Sequence, residues 1–150
     1  MVLTTDFPGI SEGKTDFMYF DEETQCFVVE SPAAVAVGRK KFMINLNPYR
    51  NSHYQVLNRA KDEYKRMMHN EIAELPTMER VSLNYEVYVG DNRIHDGMNI
   101  VSITSKFFLD ALVAYGKLKD DNMKIVCHEE WNYGGYDKGR ARVMIYIRPL

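Results

Sequence analysis

The nine residues VSLNYEVYV at 81–89 alternate throughout: Val81, Leu83, Tyr85, Val87 and Val89 on one side, Ser82, Asn84, Glu86 and Tyr88 on the other. A period of two marks a half-buried strand, with one face against an apolar layer and one toward water. Two segments of helical period can supply that layer. Over residues 53–74, Tyr54, Leu57, Ala60, Tyr64, Met67, Met68 and Ile72 form an apolar stripe, with Ser52 as the expected N-cap and Pro76 beyond the end. A second helix is expected over about 99–116, closed by Gly116. The remaining apolar stretches read as strands. FMYFDEETQCFVVE is a hairpin about Asp21–Thr24, and KKFMINLN (40–47) is a strand ended by Pro48, which cannot donate to a ladder. Strands near 123–131 and 141–148 follow, separated by the turn-rich NYGGYDKGR. The order β-β-β-α-β-α-β-β predicts an α+β fold, a small, mostly antiparallel sheet with two main helices packed on it.

The chain's 150 residues, 45% apolar and 27% charged, suit one globular domain. Roughly two thirds of the unfolded surface of such a chain is buried on folding, so it needs neither disulfide nor structural metal. Cys26 and Cys127 form no CxxC pair, which excludes a zinc finger and argues against a disulfide scaffold. No apolar run approaches the ~18 residues of a membrane span. The first sixteen residues lack the basic and apolar regions of a signal peptide, so a reduced, cytoplasmic protein is expected.

The net charge of −2 is unevenly spread. Residues 1–30 hold seven acids against Lys14, a local −6, and residues 1–40 are expected to form an acidic N-terminal extension to the domain of 41–150. Residues 39–66 carry Arg39, Lys40, Lys41, Arg50, Arg59, Lys61, Lys65 and Arg66 against Asp62 and Glu63, a local +6. That surplus points to a polyanionic partner, or to a solvated helix face plus loop. On the second helix, Asn99, Ser102, Lys106 and Asp110 fall within about 80° of one another at 100° per residue, one polar edge beside a broad apolar face. A routine Lys106–Asp110 i,i+4 pair would account for part of that edge. Asp96 precedes the helix and Asp120-Asp121 follow it, so these acids meet only if the loops fold back.

These residues carry a resemblance. D-G-M-N at 96–99, Lys106, D-A-L at 110–112, Gly116 and D-D at 120–121 resemble the RusA family of Holliday junction resolvases. That family's pattern is D-x-D-N at a helix start, then a lysine, D-A-L, a glycine and D-D. Upstream, L-N-P-Y-R-N-S-H-Y at 46–54 is similar to the family's strand-end motif, and the likeness covers about residues 42–148. The resemblance implies a Mg²⁺-dependent endonuclease (Mn²⁺ as a substitute) that cuts four-way DNA junctions by paired nicks as a homodimer. By position, Asp96 is similar to the first metal aspartate, Asp121 to the last, Lys106 to the essential lysine and Asn99 to the asparagine of the motif. Two departures stand out. Met98 occupies the second aspartate's place, and a thioether does not bind a hard cation. Four extra residues lie between Asn99 and Lys106. Asp120 and Asp110 are the nearest substitutes, Asp91 and His95 more distant ones, and Asp110 is equally readable as a structural acid of the helix face.

The chemistry suits these residue types. Phosphodiester hydrolysis needs charge stabilised on non-bridging and leaving oxygens and a water made nucleophilic, which magnesium held by two or three carboxylates supplies. A lysine beside them stabilises the transition state or orients the water. No nucleophilic triad is visible: Ser52-His53 lacks a GxSxG setting, and Cys127-His128 are merely adjacent in sequence. DNA would be held mainly through phosphates. Arg50, Arg59, Lys61, Lys65 and Arg66 come first, then Arg39, Lys40 and Lys41, then Lys138, Arg140 and Arg142. Tyr49, Tyr54, Trp131, Tyr133 and Tyr136 are placed either to stack on splayed bases or to pack. Val81, Leu83 and Tyr85 look like a surplus of apolar strand residues for so small a sheet, in keeping with a dimer. A branched-DNA-binding protein that does not cleave, and a general debranching nuclease, are the rival readings.

Overall fold

A computed structural model describes residues 18–150. Its strands are β1 (Tyr19–Asp21), β2 (Cys26–Pro32), β3 (Ala34–Val37), β4 (Lys40–Met43), β5 (Val81–Val89), β6 (Val126–Tyr136) and β7 (Arg142–Pro149). Its helices are α1 (Leu46–Asn51), α2 (Tyr54–Met67), α3 (His69–Ala73) and α4 (Gly97–Ala114). Five strands form one sheet in the order β1-β2-β7-β5-β6, and β3-β4 form a separate hairpin. Every pairing is antiparallel except β5 with β6, which run parallel because α4 crosses over between them. The expected α+β class and mostly antiparallel sheet are therefore observed.

The alternation in β5 does what its period requires. Val81, Leu83, Tyr85 and Val87 are buried, and their neighbours on the other face are half-buried. Val81, Leu83 and Tyr85 are thus consumed by the protomer's own core and are not spare surface for a dimer. Val29, Ile145, Tyr85 and Trp131 make one cross-strand row on the helix side of the sheet. α4 lies over it, with Phe107 stacked on Phe42 of β4 at 6.1 Å between centroids and edge-on to Tyr64 of α2 at 5.5 Å. Among the described residues α4 is the one helix long and apolar enough to cross a membrane, and its apolar side chains are spent in this core instead.

The hairpin about Asp21–Thr24 forms as expected, its turn held by Glu23 N–H and the Thr24 hydroxyl donating to the Asp21 carboxylate. β2 is hydrogen-bonded along β7, and Ser31 in β2 meets the Tyr64 hydroxyl of α2 at 2.7 Å with both residues fully buried. The hairpin thus belongs to the same sheet and core as residues 41–150, while residues 1–17 of the expected acidic extension lie outside the described residues.

Three local expectations are corrected. The strand from Lys40 stops at Met43, and Pro48 sits in the first turn of α1, where its missing N–H has no helical acceptor to lose. The long helix of 53–74 is two helices. Ser52 is the C-cap of α1, and the His53 ring caps α2 by accepting from Gln55 N–H at 3.2 Å. The break at Met68 leaves Tyr64, Met68 and Ile72 on one buried stripe. Finally, Gly134 and Gly135 belong to β6 and not to a turn: Gly134 is an unpaired extra residue opposite Val87 and Tyr88. A Cβ on Gly134 would lie 2.8 Å from the Tyr88 ring, so glycine is needed there for close approach. The turn itself is at Asp137–Gly139. Gly116 ends α4 as expected, at φ +75°, with Gly116 N–H bonding Val113 carbonyl and Lys117 N–H bonding Leu112 carbonyl.

Candidate nucleic-acid interface

Asp96 is the N-cap of α4. Its carboxylate accepts from Met98 N–H at 3.1 Å, and its carbonyl accepts from Asn99 N–H at 3.1 Å. It therefore satisfies an orphan helix donor, a role that accounts for an aspartate here without any metal. The preceding loop is tied by Asp91, which accepts from His95 at 2.7 Å and from the Arg93 guanidinium at 3.0 Å. The His95 hydrogen bond, followed by those of Arg93, holds the Asp91 carboxyl well below the usual carboxylate range.

Asp120 and Asp121 lie beyond the other end of α4. Their loop is anchored at the start of β5, where Lys117 carbonyl accepts from Met78 N–H at 2.8 Å and Ile125 carbonyl from Val81 N–H at 2.8 Å. Asp120 accepts from Asp121 N–H and the Asn122 amide, which lowers its pKa. Asp96 follows the C-terminal end of β5, so the two acidic positions are separated by the length of α4, about 27 Å at 1.5 Å per residue. Lys106 is exposed and about 15 Å along the helix from Asp96. Asp110 forms no i,i+4 pair with Lys106; it pairs with Lys61 of α2 at 3.7 Å. Among the described residues no three His, Cys, Asp or Glu side chains converge as a metal site. The shell that the resemblance implies for Mg²⁺ or Mn²⁺, Asp96 with Asp121, Asp120 or Asp110, does not fit within one protomer.

The basic residues are also sorted by their partners. Lys61 is taken by Asp110, and Arg66 by Glu63 through a 2.9 Å Nε bond. Lys65 is half-buried, and its carbonyl accepts from Tyr115. Arg142 is bound to Asp137 at 2.8 Å and lies 4.2 Å over the Tyr88 ring, and Arg140 reaches Asp137 at 3.4 Å and Glu30 at 3.6 Å. Arg39, Lys40, Lys41, Arg50, Arg59 and Lys138 form no ion pair among the described residues, and all six are exposed. Arg59 lies against the β3-β4 turn at Gly38.

One end of the sheet gathers several of these elements. The turn carrying Lys138 and Arg140 bonds to Gly90, with Gly139 N–H donating to its carbonyl at 2.9 Å, and Pro32, at the foot of the β3-β4 hairpin, pairs with Arg142. This is the end at which Asp96 starts α4. A cleft of about 320 Å³ opens there between β5, β6 and the first turn of α4, with Val87, Val89 and Ile100 beneath Trp131, Tyr133, Arg93 and His95. Sequence reading had no signal for this cleft beyond the aromatic residues themselves. Tyr54 is 64% exposed, beside His53, and packs into no core.

Compared with models of known protein families and with curated proteins, the chain matches none.

Proposed function

We propose that the protein is a structure-specific endodeoxyribonuclease of the RusA kind, acting on branched DNA in the cytoplasm as a homodimer, with four-way junctions its first substrate. The observation that carries this reading is the placing of the exposed Lys138, unpaired among the described residues, with Arg140 and Arg93, whose guanidiniums also meet Asp137, Glu30 and Asp91, at the end of the sheet where Asp96 begins α4. Cations on two loops at one end of a rigid sheet suit a phosphate backbone, which would exchange with the carboxylates that hold Arg93 and Arg140.

The homodimer has its own support. β6 is an eleven-residue edge strand whose residues from Cys127 to Tyr133 are all exposed, and a long open edge is a template for pairing with another chain. Two-fold pairing of antiparallel β6 edges would reverse one sheet relative to the other. The Asp120-Asp121 end of one protomer would then turn toward the Asp96 end of its partner, joining acids that a single chain keeps apart.

The second reading, a branched-DNA-binding protein without cleavage, is favoured by Met98 and by that same separation. A Mg²⁺ titration with a labelled four-way junction decides between them. Nicks that vanish in Asp96→Asn and Asp121→Asn, with affinity unchanged or higher, support the nuclease; binding without nicks supports the rival. Comparing three-way and flap substrates tests junction preference against general debranching. A one-chain mass by light scattering at full activity would contradict the dimer.

A further inference from the structure

We propose that the cleft between β5, β6 and the first turn of α4 is a receptor for a single unpaired nucleobase, stacked on Trp131. The inference rests on the DNA reading above and specifies the part of the DNA that this surface takes. At about 320 Å³ the cleft is at the small end of ligand pockets and has room for one ring system. Its chemistry is divided as a nucleotide's is. The buried members are aliphatic, Val87 above all, and suit the apolar face of a base. Among the exposed members, Trp131 at 39% and Tyr133 at 64% are aromatic and suit stacking, beside Arg93 and His95. Arg93, its side chain 81% exposed and paired with Asp91 at 3.0 Å, stands at the rim, and the neighbouring Gly90 bonds to the turn that carries Lys138, unpaired among the described residues. These cations suit the phosphates on either side of an extruded base.

The indole is fixed in place before any ligand arrives. A Cβ on Gly97 would lie 2.2 Å from the Trp131 ring, so the ring lies directly against the first turn of α4. Its Nε1–H donates to the Met98 sulfur at 3.0 Å. The thioether that breaks the family's metal pattern therefore has a different use here: it sets the plane of an aromatic platform. Duplex DNA keeps its bases stacked and offers none to such a cleft, whereas a branch point or a single strand does.

Trp131 is the only tryptophan in the chain, so tryptophan emission, read at one fixed protein concentration, is a local probe of this cleft. The full chain is titrated with an end-labelled single strand of about 8 nucleotides, with a four-way junction and with a blunt duplex, reading label anisotropy and tryptophan emission together. Quenching by the single strand and the junction, but not by bound duplex, is expected. Trp131→Ala should weaken single-strand binding roughly 5- to 150-fold, the loss of one stacked base, and leave duplex affinity unchanged. Met98→Leu, close in volume, keeps the fold and should shift the emission and give a smaller loss of affinity. If the single strand and junction bind with unaltered tryptophan emission, the base receptor is refuted while DNA binding stands. If no DNA binds in the anisotropy channel, the DNA reading itself fails, and this inference with it.

Discussion

The buried pair of Ser31 and Tyr64 offers a sharp test of whether the N-terminal hairpin is part of the core. Tyr64→Phe keeps the ring and removes one oxygen, so no cavity forms. Ser31 Oγ is then left with only the Pro32 carbonyl at 3.4 Å, a poor acceptor at that distance. A buried hydroxyl without a proper partner costs about 1–3 kcal/mol. Ser31→Ala strands the Tyr64 hydroxyl in the same way, at a similar cost. The double variant removes both groups and leaves neither unpaired, so it should cost less than the two single changes together, with a coupling of about 1–2 kcal/mol. The assay is urea unfolding followed by circular dichroism. Midpoints should shift at constant slope, in one transition that includes the hairpin. Strict additivity, or single changes under about 0.5 kcal/mol, would refute the view that this hydrogen bond joins β2 to α2 in the interior.

Three further outcomes follow from the same physics. Burial raises the Tyr64 and Tyr85 hydroxyls above the ordinary tyrosine range. Folded protein keeps those protons where unfolded chain loses them, so their contribution is whole below about pH 10 and is lost as the pH rises beyond it, at up to ~1.4 kcal/mol per pH unit per buried tyrosine. Denaturant unfolding against pH should show that decline, and Tyr64→Phe should make it shallower. Gly116→Ala meets open space but must adopt φ +75°, so it should cost about 1 kcal/mol in unfolding free energy through backbone strain alone. The salt dependence of junction binding should flatten by up to about two on replacing Lys40 and Lys41 by Ala, and hardly at all for Lys65 and Arg66; the reverse would put the DNA on α2.

The parts of the fold written in local chemistry were legible in the sequence. The alternation of β5, the Asp21–Thr24 hairpin and the glycine that closes α4 each follow from a few adjacent residues. The errors arose where one local signal has two physical meanings. A proline ends a strand or starts a helix with equal ease, and only the Asn45 side chain, bonded to Asn47 N–H, marks the second case at Pro48. Two glycines suggest a turn, but Gly134 answers to the Tyr88 ring, a neighbour 46 positions away in sequence that no local pattern could reveal. For the site, an 18-residue helix between Asp96 and Asp121 already implied wide separation. Whether the following loop returned depended on its bonds to Met78 and Val81, which are tertiary. The ion pairs that occupy Lys61 and Arg66 were likewise invisible in a count of charges.

The crossover that sets β6 parallel to β5 also bears on reaction order. Residues that flank a crossover helix sit at opposite ends of a sheet, and no loop motion short of unfolding brings them together. Chemistry that needs both Asp96 and Asp121 is then second order in chain at low concentration, with specific activity falling on dilution and recovering when an inactive partner supplies the missing end. Chains altered at Asp96 and chains altered at Asp121, each inert alone, would restore one working site per mixed pair.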